Sequence, residues 1–366
     1  MKKIILSLSI AMALVSCAVE QTIPSKVNVK RVSELNNATS NTLLYSLPTT
    51  VVRVNVELEK TISKVGPFYR YSKKLLNVSD VVTADNEAWR IKAVNIMTYG
   101  VPDEDKQYSI AYSGQNSAPF LNLTPNGVLA GINSDVEPML DYAKDYSAIK
   151  ELSIEDINFN GVAMIEKQLK KTSTAAMAQE TANYIYKIRK RRFKILASDY
   201  AQLPPDGQSY EVVVRELNKL EKDHMELFVG KQEVHTVTHS FDIIPSQLSP
   251  NNDVLFRFSK VNGMVDKMDV SGAPVYFEFE AEKQKNLPNE PMLVKGNDEI
   301  SNGLYYCKPG KANIKIIDKN KLLKEQDVYL GQYGQVVSMP ANVLEQDNIS
   351  VELNPATGAL KSIKRN

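Results

Sequence analysis

"VVRVNVELEK" (residues 51–60) alternates apolar and polar side chains, with Val52, Val54, Val56 and Leu58 set against Arg53, Asn55 and Glu57. A strict period of two is the signature of a strand buried on one face. A strand of that kind needs a partner sheet, which places the chain among β-rich folds. Downstream, "GPFYRYSKKLL" (66–76) changes the period. Pro67 suits a first helical turn, and Phe68, Tyr71 and Leu75 recur at spacings of three and four, so a short amphipathic helix is expected. "WRIKAVNIMTYG" (89–100) and "YSIAYS" (108–113) are expected as strands, and "PFLNLTPNGVLAGI" (119–132) as a hairpin turning at Pro125-Asn126-Gly127.

Residues 133–172 are polar and acidic, and an irregular, exposed segment is expected there. After it the spacing is helical. Ala178, Ala182, Ile185, Ile188 and Ile195 share one face of 174–198, and Tyr210, Val213, Leu217, Leu220, His224 and Leu227 share one face of 209–230. "LPPDG" (203–207) joins the two, and Gly230 offers a stop, so an antiparallel helical hairpin is expected. From Lys231 onward, short strand-like runs return ("EVHTVTHSFDI", "VLFRFSK", "VYFEFEAE", "GLYYCKPG", "NIKIID", "ISVELNP"), punctuated by turn residues as in a sandwich or barrel. The expected fold class is therefore α+β, with two antiparallel β-rich modules separated by the helical hairpin.

The N-terminus carries an address. Lys2 and Lys3 precede an apolar run, Ile4–Val15, that is too short to span a bilayer and of the length of a secretory signal. "LVSC" (14–17) ends it with an aliphatic residue, a tolerant position, a small residue and a cysteine, the pattern of a bacterial lipobox. Lipidation of Cys17 and cleavage before it are expected, and two or more acyl chains anchor stably. The boundaries that follow are a signal at 1–16, a lipidated flexible spacer at 17–42 and a β-rich module with a short helix at 43–135. An irregular segment with the helical hairpin occupies 136–230, and a C-terminal β module 231–366. With Cys17 acylated, Cys307 is left without an intramolecular partner, so the exported chain must be held by its own core. The near-neutral balance, +1 for the whole chain, argues against nucleic acid or anionic lipid as an electrostatic partner.

Motifs that carry chemistry are sparse. "HTVTH" (235–239) has the spacing of two imidazoles on a helix, but its β-branched alternation makes it a strand, on which the two side chains stand about 13 Å apart. They cannot share one zinc. His224 falls on an apolar helix face and is expected as a packed residue. "PDEDK" (102–106) and "SPNNDV" (249–254) lack the calcium-loop pattern and are expected as turns. Neither a Gly-x-Ser-x-Gly elbow nor a His-Glu-x-x-His pair occurs. Paired carboxylates from distant segments, as in glycoside hydrolysis, leave no local signature. Seventeen tyrosines could line a glycan-binding face, with Trp89 the single tryptophan. No cofactor and no metal ligand set is expected.

The most basic run is "KIRKRRFK" (187–194). On a helix it ordinarily makes a solvated face, with Glu180, Glu211 and Glu216 as nearby partners. Lys187, Arg189, Lys190 and Arg191 are the candidate docking surface for an acidic partner or lipid headgroups.

Five blocks, "LYSLPTTVVRVNVELEKTISKVGPFYRY" (44–71), "MAQETANYIYKIRKRRFKIL" (177–196), "PPDGQSYEVVVRELNKLE" (204–221), "GLYYCKPGKANIKI" (303–316) and "NPATGALKSI" (354–363), together resemble the exported lipoproteins of Bacteroidota classed as domain of unknown function 4831. The resemblance runs from about Leu43 to the C-terminus. It implies a cell-envelope protein of that phylum and carries no reaction, ligand or site residue onto positions here. In such bacteria Ala18 after the lipidated cysteine favours the outer membrane, and "CAVEQT" without a clear acidic export tag favours its periplasmic face. The functional expectation is a non-enzymatic scaffold or binding module that contacts another envelope protein. An envelope glycan hydrolase and a passive glycan binder are the alternatives.

Overall fold

The computed structural model describes residues 26–34, 42–113, 120–134, 152–197, 207–245, 253–282, 303–340 and 348–365. The signal, Cys17 and residues 198–206 of the connection between the helices lie outside the described residues. The chain is β-rich, with four α-helices among the described residues.

β2 (Thr42–Lys64) and β3 (Asn86–Ser113) make one long antiparallel ladder, from Thr42↔Ala111 to Ser63↔Asn86. The alternation of residues 52–58 is why. Val52, Val54, Val56 and Leu58 are fully buried on one face, while Arg53 and Glu57 stay half exposed on the other. β6 (Lys231–Ile243) pairs along β2 in an unbroken register from Val52↔Ile243 to Lys64↔Lys231. β1 (Lys26–Arg31) pairs with the far end of β3, giving the order β1-β3-β2-β6. The expectation of a spacer running to residue 42 is thus corrected, because Lys-Val-Asn-Val-Lys-Arg alternates well enough to close a sheet edge, with Val29 buried.

The C-terminal strands β7 (Asp253–Ser259), β8 (Gly263–Val265), β9 (Ala273–Ala281), β10 (Leu304–Asp318) and β11 (Lys321–Met339) form a second sheet, ordered β11-β10-β9-β7-β8 and curled into a half-barrel. A third sheet, ordered β13-β12-β5-β4, joins β4 (Leu121–Leu123) and β5 (Leu129–Ile132) to β12 (Ile349–Leu353) and β13 (Leu360–Arg365). Two separate β modules divided by helices are therefore not what forms. β6 joins the N-terminal sheet, and β4 and β5 join C-terminal strands. The buried face of β2 requires a facing sheet, and the strands that supply it come from the other half of the chain.

Two apolar cores result. In one, Val52, Val54, Val56 and Leu58 face Phe256, Val275, Phe277, Ile314, Ile316 and Leu330. In the other, Tyr45, Leu47, Tyr108 and Ile110 face Leu129, Leu304, Cys307 and Val351. β2, β3, β10 and β11 run through both, and register breaks mark the passage. β2 shifts between Ser46 and Pro48, and β10 shifts between Lys308 and Gly310, opposite Gln335 and Leu330 of β11. Prolines 48 and 309 sit there because neither can donate to a ladder. Residues 102–106, expected as a turn, continue β3 through this passage, with Pro102 opposite Pro48. Asp103 accepts from Thr49 Oγ1 at 3.0 Å and pairs with Lys106 at 2.9 Å.

The helices stand at the end of the β2–β3 ladder. α1 (Ser72–Leu76), α3 (Thr174–Leu196) and α4 (Gly207–Val229) gather Phe68, Leu76, Ala178, Ala182, Ile185, Leu227 and Phe228 into a third cluster. Ser173 Oγ caps α3 by accepting from Ala176 N, and Gly230, at φ +90°, turns the chain from α4 into β6. Of the segment before α3, residues 135–151 lie outside the described residues, and 152–172 are less exposed than expected. They hold α2 (Glu166–Leu169), Ile157 and Gln168 are buried, and Gln168 Nε2 donates to Thr181 Oγ1 at 2.9 Å.

Candidate functional site

The buried row Ala178, Ala182, Ile185 and Ile188 fixes how α3 is rotated. With 100° per residue, Lys187, Lys190 and Arg191 then fall on the opposite face within one third of the circumference, and all three are exposed. Among the described residues no carboxylate makes an ion pair with any of them. Arg189 differs. It turns toward α4, where its Nε donates to Glu221 at 2.6 Å and its guanidinium reaches the Met225 sulfur. Arg192, one turn on, pairs with the other oxygen of Glu221 and donates to Asn218 at 2.8 Å. The contacts Tyr184–His224, Arg189–Glu221 and Arg192–Asn218 ascend α3 while descending α4, so the helices run in opposite directions.

Of the four basic residues singled out, three therefore form an outward stripe and Arg189 is a strut beneath it. Among the described residues none of the carboxylates expected to serve them, Glu180, Glu211 and Glu216, makes an ion pair with the stripe. Glu180 pairs with Lys167 of α2, Glu216 lies beside Arg215, and Glu221, not foreseen, takes both arginines. Its signal in the sequence was weak because helix pairing, not local spacing, brings it close. Beside the stripe, Phe193 is 71% exposed, and Tyr186 lies over α1 with its hydroxyl donating to Leu75 O at 2.9 Å. The surface is thus a cationic row with an aromatic flank, carried on a helix held by a buried face, a capped start and two interhelical arginines.

The remaining sequence candidates are dispersed. His235 and His239 both lie on strand β6, as their alternation implies, and His224 is buried against the Tyr184 ring with Nδ1 2.8 Å from Leu220 O. Among the described residues no group of three His, Cys, Asp or Glu side chains could hold a metal ion. Cys307 is fully buried, and burial pushes its thiol up to about 11. Tyr45, Tyr108 and Tyr305 stack in the second core, with centroids 5.4 and 4.6 Å apart, and line no surface. Trp89 is buried beneath Gly263 and Lys60. Asp253 begins β7, while residues 249–252 lie outside the described residues.

An open groove of about 500 Å³ runs between Asp80–Ala84 and the junction of Gly230 with Gln232. A smaller one of about 170 Å³ lies on the second sheet, where Glu278, Glu280 and Lys315 surround Asn313. Elsewhere charge is used for fastening. Arg53 Nε and Nη2 each donate at 2.7 Å to one oxygen of Asp242, across β2 and β6, and the pair sits over the Tyr99 ring. This guanidinium holds the Asp242 carboxyl below the usual carboxylate range. Lys60, although buried, pairs with Glu87 at 3.0 Å and donates to Leu152 O at 2.8 Å.

Comparison with curated proteins finds no match, and comparison with solved structures finds none. The family comparison gives a result that spans both β halves and the helical insertion. Residues 41–361 match the model described as Domain of unknown function (DUF4831), and the chain belongs to that family.

Proposed function

We propose that this protein is an envelope binding module, anchored in the outer membrane by lipid on Cys17 and facing the periplasm, that docks another envelope protein through α3. The reading rests on one observation. Lys187, Lys190 and Arg191 point outward from a braced helix without carboxylate partners among the described residues, beside exposed Phe193. A stripe of that kind fits an acidic, partly apolar protein surface. The charges supply steering and register, and the aromatic ring supplies buried area. The β body positions the helices and acts by binding rather than by catalysis. The "LVSC" motif supports the anchor.

Triple charge reversal, K187E/K190E/R191E, tests the reading. The substituted side chains are exposed, so the melting temperature should stay within a few degrees. Three interfacial charge pairs at about 0.2–1 kcal/mol each predict a partner yield lowered roughly 10-fold in mild-detergent purification, at ~1.4 kcal/mol per decade. An unchanged yield of the same partner would refute docking through α3.

A further inference from the structure

Residues 158–162 form a turn seated on the third cluster. Val162 N donates to Phe159 O at 3.1 Å, with Asn160 and Gly161 between them, and Asn160 N donates to Asn158 Oδ1 at 3.0 Å. Phe159, Val162 and Met164 pack against the cluster that holds Ala178, Ala182 and Ile185 of α3. Lys231 fastens the turn from β6. Its ammonium donates to Asn158 O at 2.8 Å and lies 5.2 Å from the centre of the Phe159 ring. Asn160 and Gly161 themselves stay exposed, and a Cβ at Gly161 would meet nothing within 4 Å.

An asparagine followed by glycine carries its own reaction. The glycine nitrogen, unhindered by a Cβ, attacks the asparagine Cγ wherever the backbone is free to bring them together. The chain has four Asn-Gly steps, at 126–127, 160–161, 262–263 and 302–303, and Asn302 lies outside the described residues. The fold holds two of the others. Gly127 N donates to Thr124 O at 2.8 Å, while Asn126 Oδ1 accepts from Thr124 Oγ1 at 2.5 Å and Asn126 Nδ2 donates to Gly100 O at 3.4 Å. Gly263 is buried in β8, where a Cβ would lie 3.0 Å from the Trp89 ring. At 160–161 neither the Gly161 N–H nor the Asn160 side chain has a hydrogen-bond partner among the described residues.

We infer that Asn160 is a self-modification site, an amide that this fold leaves poised to lose ammonia with water as the co-reactant. Gly161 N forms a bond to Asn160 Cγ, the Cγ–Nδ2 bond breaks, and the Gly161 amide proton leaves with the departing nitrogen as ammonia. Water then opens the cyclic imide. Cleavage of the new N–Cγ bond gives aspartate at 160. Cleavage of the original peptide bond leaves the chain running through the side chain, an isoaspartate with one extra backbone carbon. Either product adds a carboxylate, and nothing is oxidised or reduced. Isoaspartate also lengthens a turn pinned at Asn158 by Lys231 and at Phe159 and Val162 by the cluster, so it loosens the seat of α3. The site lies apart from the α3 stripe, and its failure would leave the docking reading untouched.

The test holds the full chain folded in mild detergent at mildly alkaline pH and follows it by peptide mass spectrometry. Residue 160 should convert from amide to acid, with isoaspartate as a separate product. Residues 126 and 262 should convert roughly 10-fold more slowly or less, the margin that an opening cost of about 1.4 kcal/mol sets. In denaturant the three rates should converge. Gly161→Ala should slow conversion and keep the melting temperature, because the backbone there is not left-handed and the Cβ position is open. Hydrogen exchange in 157–164 should quicken in the aged chain and not in aged Gly161→Ala. Equal rates at the three steps in the folded chain, or an Asn160 that stays an amide while Asn126 or Asn262 converts, overturn the inference. Conversion without quickened exchange overturns the loosening of the α3 seat. Should Gly161→Ala fail to fold, the comparison among the three unsubstituted steps decides alone.

Discussion

The hydroxyl of Thr50 is fully buried where the three sheets meet, donating to Ala356 O at 2.8 Å and accepting from Gly331 N at 2.9 Å. Its backbone is matched by the Gln332 side chain, which accepts from Thr50 N and donates to Thr50 O, both at 2.9 Å. A Cβ at Gly331 would lie 2.8 Å from Thr357 O and 3.0 Å from Pro48 O, so only glycine lets β11 pass this close to β2. Thr50→Val keeps the shape and strands the Gly331 N–H, and a loss of about 1–3 kcal/mol in denaturant unfolding is expected. None of this was legible beforehand, because Thr50 and Gln332 are 282 positions apart and a lone threonine or glutamine carries no period. Cys307 was legible in type but not in place. It lies under Gly358, whose Cβ would sit 3.1 Å from the sulfur, and its thiol should resist alkylating reagents at pH 8 until the protein unfolds. Labelling at the rate of a free thiol under native conditions would contradict that placement.

At the scale of elements, the period of each segment placed its buried face correctly where one neighbour sufficed. Ala178, Ala182, Ile185 and Ile188 are buried along α3, as their spacing requires, and so are His224 and Leu227 of α4. Tyr210, Val213, Leu217 and Leu220 are only half-buried, because that part of α4 packs against the arginine-rich stretch of α3 rather than a broad apolar face. Glu221 should therefore matter more than its surface position indicates. Glu221→Gln removes the anion shared by Arg189 and Arg192, and hydrogen exchange should quicken in 185–196 and 210–224 by roughly 10-fold, at ~1.4 kcal/mol, while the β2–β3 ladder is unaffected. Paired carboxylates on β6, β3 and β12 respond to acid. Asp242 is held low by Arg53. Asp103, which burial alone would raise, is held low by Lys106 and Thr49, and Glu352 is held low by Lys364. A carboxylate with a depressed folded value contributes stability above its unfolded value, near 4, and loses it as pH falls through the folded one. Stability should thus decline below about pH 4, and Asp242→Asn should reduce that slope.

Across the whole molecule, four long strands shared by two cores make the β body a single cooperative unit. Trp89 reports the first core and Cys307 the second, so tryptophan fluorescence and thiol exposure should follow one denaturation curve, and separated midpoints would show that the cores melt independently. What the sequence could not convey at this scale was the interleaving. Alternation shows that a strand has a buried face, not which distant strand covers it, so β6 and β4–β5 fell to the wrong modules. The basic run at 187–194 was legible as such, and the helix rotation divides it into arginines that reach α4 and charges that point outward. The most direct test of the functional account is lysine-directed crosslinking of the native protein in its own membrane, read by mass spectrometry. The account predicts one envelope partner at near-equal amount, joined through Lys187 and Lys190 to an acidic segment. Recovery of this chain without a partner, or a partner joined only through the β body, would contradict it.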